Sequence, residues 1–324
     1  MRALRLGTRG SQLALWQANT VAERLRAAGA ATCEIVVIRT SGDRLAEAPL
    51  SEAGGKRLFV KEIEDALANG VVDLAVHSCK DMPVALPDGL AIGACLPRED
   101  PRDVLILPPG RHAGEMPAED LRALLGPHAR IGTSSVRRVA ELRRFLPDAR
   151  FEPIRGNLDT RLRKLDRGDH DAIVLAAAGV RRLGFTARIS ATLPFDLCVP
   201  APGQGAIAIE IRAADQETRH RVHAIDDRET ALAVNAERAL VARLGGGCQT
   251  PVGAIATLQG VHLTLSAVVA SLDGSRAVRG RLSGRAEDGE AIGAALADQL
   301  AREGAVAILE EVRHAQEPVE GSGP

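Results

Sequence analysis

Two stretches of this chain follow one pattern, and that repetition narrows the folds open to it. Gly70-x-x-Asp73-x-x-Val76 matches Gly168-x-x-Asp171-x-x-Val174, and Leu6-Gly7-Thr8-Arg9-Gly10-Ser11 is similar to Ile131-Gly132-Thr133-Ser134-Ser135. Each lies where β-rich apolar runs alternate with amphipathic ones. Residues 3–8, 33–40 and 71–77 read as strands, with helices over 12–26 and 58–69. The pattern restarts with strands at 130–132, 151–154 and 171–176 and helices over 135–145 and 158–166. Such alternation gives a parallel sheet with helices on its faces. The expectation is two similar α/β domains; either duplication or the common form of strand-turn-helix units accounts for the likeness.

At 324 residues the chain exceeds what one core serves. Proline-bearing segments at 97–109 and 194–205 read as crossings between domains, and 206–211 as a strand rejoining the first sheet. From Asp226 the pattern changes. A helix to about Leu244 precedes strands at 252–257, 261–269 and 276–282, joined by Gln-Gly and Asp-Gly turns, and a helix near 288–302. The predicted division is residues 1–98 plus about 200–220, about 103–196, and an α+β domain at about 226–314. Residues 315–324 read as a disordered tail.

A net charge of -1 gives no global pull toward nucleic acid. No apolar run is long enough to span a bilayer, and the start lacks a signal-peptide core, so a cytoplasmic protein is expected. The cysteines (Cys33, Cys79, Cys95, Cys198, Cys248) show no C-x-x-C spacing, which argues against a zinc site or a disulfide framework; no metal is expected. Anion binding must therefore be local. Arginines gather near the predicted strand ends: Arg9, Arg137, Arg138, Arg155, Arg161, Arg181 and Arg182. Ligands of open α/β sheets bind beyond those ends. Arg137 and Arg138 fall in the first turn of a helix, where basic groups oppose the dipole and an anionic ligand relieves the conflict. The plainer reading is surface arginine in an arginine-rich chain.

Lys80-Asp81 follows a predicted strand. Asp81 suits a general acid/base or a counter-charge, or else a turn aspartate ahead of Pro83. Cys248 sits in Gly245-Gly246-Gly247-Cys248-Gln249-Thr250-Pro251, a loop free to move a thiol. Cys79 is a rival nucleophile, while Cys33, Cys95 and Cys198 read as core.

Several segments resemble the porphobilinogen deaminase family. They are Thr8-Arg9-Gly10-Ser11 with Leu13-Ala14-Leu15-Trp16-Gln17; Gly54-Gly55-Lys56 with Leu58-Phe59-Val60-Lys61-Glu62; and His77-Ser78 with Lys80-Asp81. Arg98-Glu99-Asp100-Pro101-Arg102-Asp103, Gly132-Thr133-Ser134-Ser135 with Arg137-Arg138, Arg155-Gly156-Asn157 with Thr160-Arg161-Leu162, Pro202-Gly203-Gln204-Gly205 and Gly246-Gly247-Cys248-Gln249 complete the set. The resemblance runs from about Arg5 to about Leu309. It implies two periplasmic-binding-protein-like α/β domains with a hinge and a small C-terminal α+β domain. It implies a covalent dipyrromethane cofactor on a thioether at Cys248, porphobilinogen as substrate, and Asp81 as the catalytic carboxylate. It further implies that Lys80, Asp81, Ser135, Arg137, Arg138 and Arg161 bind the cofactor, and that Arg9, Ser11, Arg155, Arg161 and Arg182 bind substrate. A monomer that passes hydroxymethylbilane to the next tetrapyrrole enzyme is implied as well. Arg57 stands where the family has glycine, and Cys79 where methionine is common. Without the resemblance, a two-lobed anion receptor and a thiol-dependent transferase stay open.

Overall fold

The computed structural model describes residues 2–29, 32–41, 60–111, 114–115, 118–247 and 250–316. The chain opens with β1 (Leu4–Thr8), α1 (Gln12–Ala27), β2 (Cys33–Val37), α2 (Lys61–Ala68), β3 (Leu74–Ser78) and β4 (Leu90–Cys95). It then crosses into β5 (Asp103–Ile106), β6 (Gly114–Glu115), α3 (Ala118–Leu125), β7 (Arg130–Gly132), α4 (Val136–Arg143) and β8 (Arg150–Glu152). The same unit continues with α5 (Leu158–Asp166), β9 (Ala172–Ala176), α6 (Ala177–Arg182) and β10 (Ala191–Thr192). The chain returns as β11 (Ile207–Arg212) and α7 (Gln216–His223). It ends with α8 (Arg228–Arg243), β12 (Val252–Gln259), β13 (His262–Ala270), β14 (Ala277–Arg285), α9 (Gly289–Arg302) and α10 (Ala305–Gln316).

The first sheet runs β2-β1-β3-β11-β4 and the second β6-β10-β5-β9-β7-β8. In each, three strands are parallel (β2, β1, β3 and β8, β7, β9). The next strand, β11 on β3 or β5 on β9, is antiparallel, and β4 or β10 is antiparallel to that. Both sheets are thus mixed, where the alternation of elements suggested purely parallel ones. The cause is topological: β5 and β11 are the strands that the two crossings deliver, and each enters its sheet from the far side. Asp103 to Ile106 belongs to the second sheet, so the outgoing crossing is shorter than the proline-bearing segment suggested.

The likeness of the two units extends to atoms. At the start of β1, Arg5 donates from Nε and Nη2 to the Asp73 carboxylate (3.2 and 2.9 Å) and from Nη2 to Gly70 O (2.8 Å). At the start of β7, Arg130 donates from Nε and Nη2 to Asp171 (3.3 and 3.0 Å) and from Nη2 to Gly168 O (3.0 Å). The repeated Gly-x-x-Asp pattern therefore codes a clamp joining neighbouring parallel strands. Both units also cap a helix with serine: Ser11 accepts from Ala14 N–H and Ser135 from Arg138 N–H.

The crossings lie side by side, with Leu96 N–H on Ile207 O (3.0 Å) and Glu99 N–H on Gly205 O (3.1 Å). Gly203 and Gly205 have φ of +73° and +87°, and a Cβ would come within 2.7 Å of Cys79 Sγ and 2.3 Å of Glu99 O respectively. Only glycine fits there. In the C-terminal unit, α8, α9 and α10 cover the β12-β13-β14 sheet around Leu240, Leu265, Leu296 and Leu309. The last helix reaches Gln316, two residues into the expected tail, because Ile308, Leu309 and Val312 anchor its inner face. No helix among the described residues is long and apolar enough to cross a membrane.

Candidate active site

Beyond Ser78 the chain turns through one 3-10 turn, Cys79–Asp81. This turn leaves Asp81 exposed, Lys80 half-buried and Cys79 buried. Cys79 packs against Gly203, and burial pushes its thiol up to about 11. Burial also raises the thiols of Cys33, Cys95 and Cys198, so none of these four is a ready thiolate near neutral pH. Cys79 is therefore a weak rival nucleophile, and Cys33 is half-buried rather than fully in the core.

Lys80 donates to Gln204 Oε1 at 3.2 Å. Burial, with Arg138 adding to it, lowers the ammonium to about 8 against an opposing pull from Asp81. The Asp81 charge is also felt at Arg161. There burial, then Arg138, brings the guanidinium down to about 10, and Nε is held by Gly156 O at 2.9 Å. The carboxylate, the ammonium and this guanidinium thus share one field, although they come from different units.

Arg137 and Arg138 differ from the sequence expectation. Both are buried, at 3% and 7% exposure, and both grip Asp103, the fully buried first residue of β5. Arg137 Nη2 lies 2.7 Å from Oδ2, and Arg138 reaches Oδ1 from Nη2 (2.7 Å) and Nε (3.0 Å). Burial alone would raise the Asp103 pKa, but the two guanidinium groups outweigh it and hold the carboxyl well below the usual range. The conflict with the α4 dipole is thus already relieved by a carboxylate of the protein. One donor is left over: Arg137 Nε is buried without a hydrogen-bond partner among the described residues. Behind Arg137, Glu141 receives Val199 N–H at 2.9 Å, and burial pushes its carboxyl up to about 7.

Arg182 stacks over the Trp16 ring at 5.6 Å and donates to Gly205 O at 2.6 Å, bridging α6, α1 and the return crossing. Burial lowers it to about 10. Arg181, singled out with it, turns instead to Glu99 and Asp100 on the outgoing crossing. Ser11 serves as a helix cap, and Arg9 and Arg155 lie at the ends of β1 and β8.

An open cavity lies where the three units meet. Lys80 and Met82 line it from the first unit, Ser135 and Arg137 from the second, and Arg238, Gly247 and Thr250 from the C-terminal one. Cys248 and Gln249 lie outside the described residues, as do Lys56 and Arg57, but the neighbours Gly247 and Thr250 place the ends of that loop on the cavity wall.

Sequence reasoning missed three supporting residues. Outside the resemblance, Asp103 was visible only as a carboxylate opening the apolar run Asp103-Val104-Leu105-Ile106, a position that demands cationic partners. Glu237, fully buried on α8, binds Arg98 (2.6 and 3.1 Å), Gly203 N–H (2.6 Å) and Ala256 N–H (2.8 Å), fastening the C-terminal unit to the crossings. Arg238 donates to Pro83 O and Val84 O, both 2.8 Å, and steadies the segment that follows Asp81. No sequence pattern marked either α8 residue.

Two family models match the chain: "Porphobilinogen deaminase, dipyromethane cofactor binding domain" over residues 4–220, and "Porphobilinogen deaminase, C-terminal domain" over residues 231–302. The porphobilinogen deaminase of Carboxydothermus hydrogenoformans is 47% identical over 309 residues, covering 95% of this chain and 96% of that one. That of Desulforudis audaxviator is 49% identical over 313 residues, covering 96% and 98%. Among solved structures, the Bordetella pertussis BvgS periplasmic VFT2 domain aligns at a TM-score of 0.40 and 16% identity, over 69% of this chain and 86% of that one.

Proposed function

The chain belongs to the porphobilinogen deaminase family, and from that premise we propose how its residues divide the work. It is an enzyme of tetrapyrrole biosynthesis. It joins four porphobilinogen molecules head to tail on a dipyrromethane primer, losing ammonia at each coupling, and then releases hydroxymethylbilane by hydrolysis. In our reading it acts as a transferase.

The residues around the cavity fit such a primer. Lys80, Arg137 and Arg238 set three cationic groups on one open cavity, and Arg137 Nε is a buried donor without a partner among the described residues. When bound, the primer supplies a free α-position as the acceptor for each new ring. Cys248 is the residue we assign as its thioether tether. Gly247 and Thr250 flank it on the cavity wall, and the other four thiols are held protonated by burial. Lys80, Ser135, Arg137, Arg138 and Arg161 hold the primer's carboxylates, with Arg138 acting through the buried Asp103 cluster. Arg9, Ser11, Arg155, Arg161 and Arg182 receive the carboxylates of the incoming pyrrole.

Asp81 carries the chemistry. Its exposed carboxylate holds the pyrrole N–H and offsets the positive charge that develops as ammonia leaves, a contribution largest in the transition state. Lys80 and Arg161 both feel its charge. Tethering the acceptor makes every coupling effectively intramolecular. We read the chain as a cytoplasmic monomer of three domains (1–98 with about 200–220, about 103–196, about 226–314) that passes its product to the next tetrapyrrole enzyme.

The observation that carries this reading is the single cavity shared by Lys80, Arg137 and the two flanks of Cys248. Mass spectrometry tests it. The purified protein should exceed its sequence mass by one dipyrrole and colour with Ehrlich's reagent, while Cys248→Ala should do neither. An unchanged adduct on Cys248→Ala would move the tether elsewhere.

A further inference from the structure

We propose that Gln204 is a positioning residue: its side-chain amide aims the Lys80 ammonium at the cavity and ties it to the buried Arg137–Asp103–Arg138 cluster. The inference deepens the reading of Lys80 as a cofactor-binding residue and rests on it. The orientation of the amide follows from its partners. Nε2 lies 2.6 Å from Pro101 O and 2.9 Å from Asp103 Oδ1. Both are acceptors, so this atom is the NH2 group, and Oε1 is the atom that meets Lys80 Nζ at 3.2 Å. From the return crossing Gln204 thus reaches three segments: the turn after β3 (Lys80), the outgoing crossing (Pro101) and the start of β5 (Asp103).

The backbone of Gln204 is equally fixed. Its N–H bonds Ala201 O (2.9 Å), its carbonyl accepts Arg98 Nε (2.8 Å), and Gly203 and Gly205 flank it in left-handed conformations. The side chain is fully buried, so the relay has no competing water at its centre.

The chemistry of the surroundings explains why an amide stands here. Arg137 and Arg138 disfavour the Lys80 charge, and Asp81 and Asp103 favour it. Arg98, backed by Glu237, holds the Gln204 carbonyl, and Glu99 faces Gly205. An apolar side chain would leave the ammonium without its acceptor and Asp103 short of a donor. A carboxylate would face Asp103 Oδ1 and the Pro101 carbonyl, acceptor against acceptor. Only a neutral group with both donors and an acceptor satisfies all three neighbours.

The chain has lysine only at Lys56, Lys61, Lys80 and Lys164, so 13Cε-lysine NMR of the protein as purified can follow Lys80 directly, assigned by the signal lost in Lys80→Arg. Gln204→Met, close in shape, should lower the Lys80 midpoint by about one pH unit, the loss of one charge-assisted hydrogen bond. It should also reduce dipyrrole loading by mass. Gln204→Glu, protonated, keeps an acceptor for Lys80 and a donor for Asp103; it should load at acid pH and fail as the acid ionises, a step additional to the one that Lys80 itself imposes on wild type and Gln204→Met. Should Gln204→Met fail to fold, the reversible pH dependence of Gln204→Glu decides. An unmoved Lys80 midpoint in Gln204→Met, or loading by Gln204→Glu that is the same at every pH, overturns the inference. Normal loading in Lys80→Met overturns the reading of Lys80 instead, so the two failures are distinct.

Discussion

At the start of its sheet each α/β unit carries the same clamp, Arg5 on Asp73 in the first and Arg130 on Asp171 in the second. At the ligand end they diverge. The first unit ends β3 in a turn with Asp81 exposed and Lys80 half-buried. The second buries two arginines against Asp103 behind the Ser135 cap. One strand order has thus been given two electrostatic finishes. A charge whose partner is built in becomes structure, and a charge left facing the cavity becomes available to a ligand. The clamps themselves also differ: Asp73 is 1% exposed and also draws in Arg2, while Asp171 is 46% exposed.

The strongest way to break this contrast is Asp81→Asn. Turnover should fall by about 10²–10⁴, the range of a lost general acid/base group, with dipyrrole loading retained when the loaded form is supplied; near-native turnover would end the claim that the first unit carries the chemistry. Asp103→Ala should destabilise by about 3–5 kcal/mol in urea denaturation, because it strands two buried guanidinium groups. A loss below about 1 kcal/mol would mean that the second unit does not store its charge as structure.

The clamps sharpen the comparison. Asp73→Asn should cost about 2–3 kcal/mol, since its arginines reach solvent but its carboxylate does not, whereas Asp171→Asn should cost less than about 1 kcal/mol. Equal losses would make burial irrelevant to the clamp. Acid offers the smallest and most specific test. Burial would raise the Asp73 pKa, but the Arg5 hydrogen bonds outweigh it and hold it low. Its stabilisation is therefore full above the unfolded carboxylate value of about 3.9 and is lost as pH falls through the lower folded value. The stability gap between wild type and Asp73→Asn, followed by circular dichroism, should narrow only below that point.

Much of the scaffold was legible because period and turn chemistry are local. The strand Arg130–Gly132 and the helix Leu158–Asp166 fall where the pattern put them, and the Gly-x-x-Asp echo marked both clamps. The antiparallel placement of β5 and β11 was not legible, since strand direction depends on contacts far along the chain. The helix Ala118–Leu125 falls where the pattern gave no element. At the site, residue type pointed to Lys80, Asp81 and the arginines. The burial of Arg137 and Arg138 was hidden because their partner Asp103 precedes them by a whole strand-helix passage. Gln204 was visible only inside a resemblance, as an amide carries no charge to betray its three partners.

The placement of β11 between β3 and β4 has a consequence for biosynthesis. As the polypeptide leaves the ribosome, its first sheet has a gap at the middle, and the facing edges of β3 and β4 stay bare until residues 207–212 emerge. The second sheet is drawn from one uninterrupted stretch. The later-made half therefore closes first, and the half bearing Asp81 is finished only when its missing strand arrives from behind it.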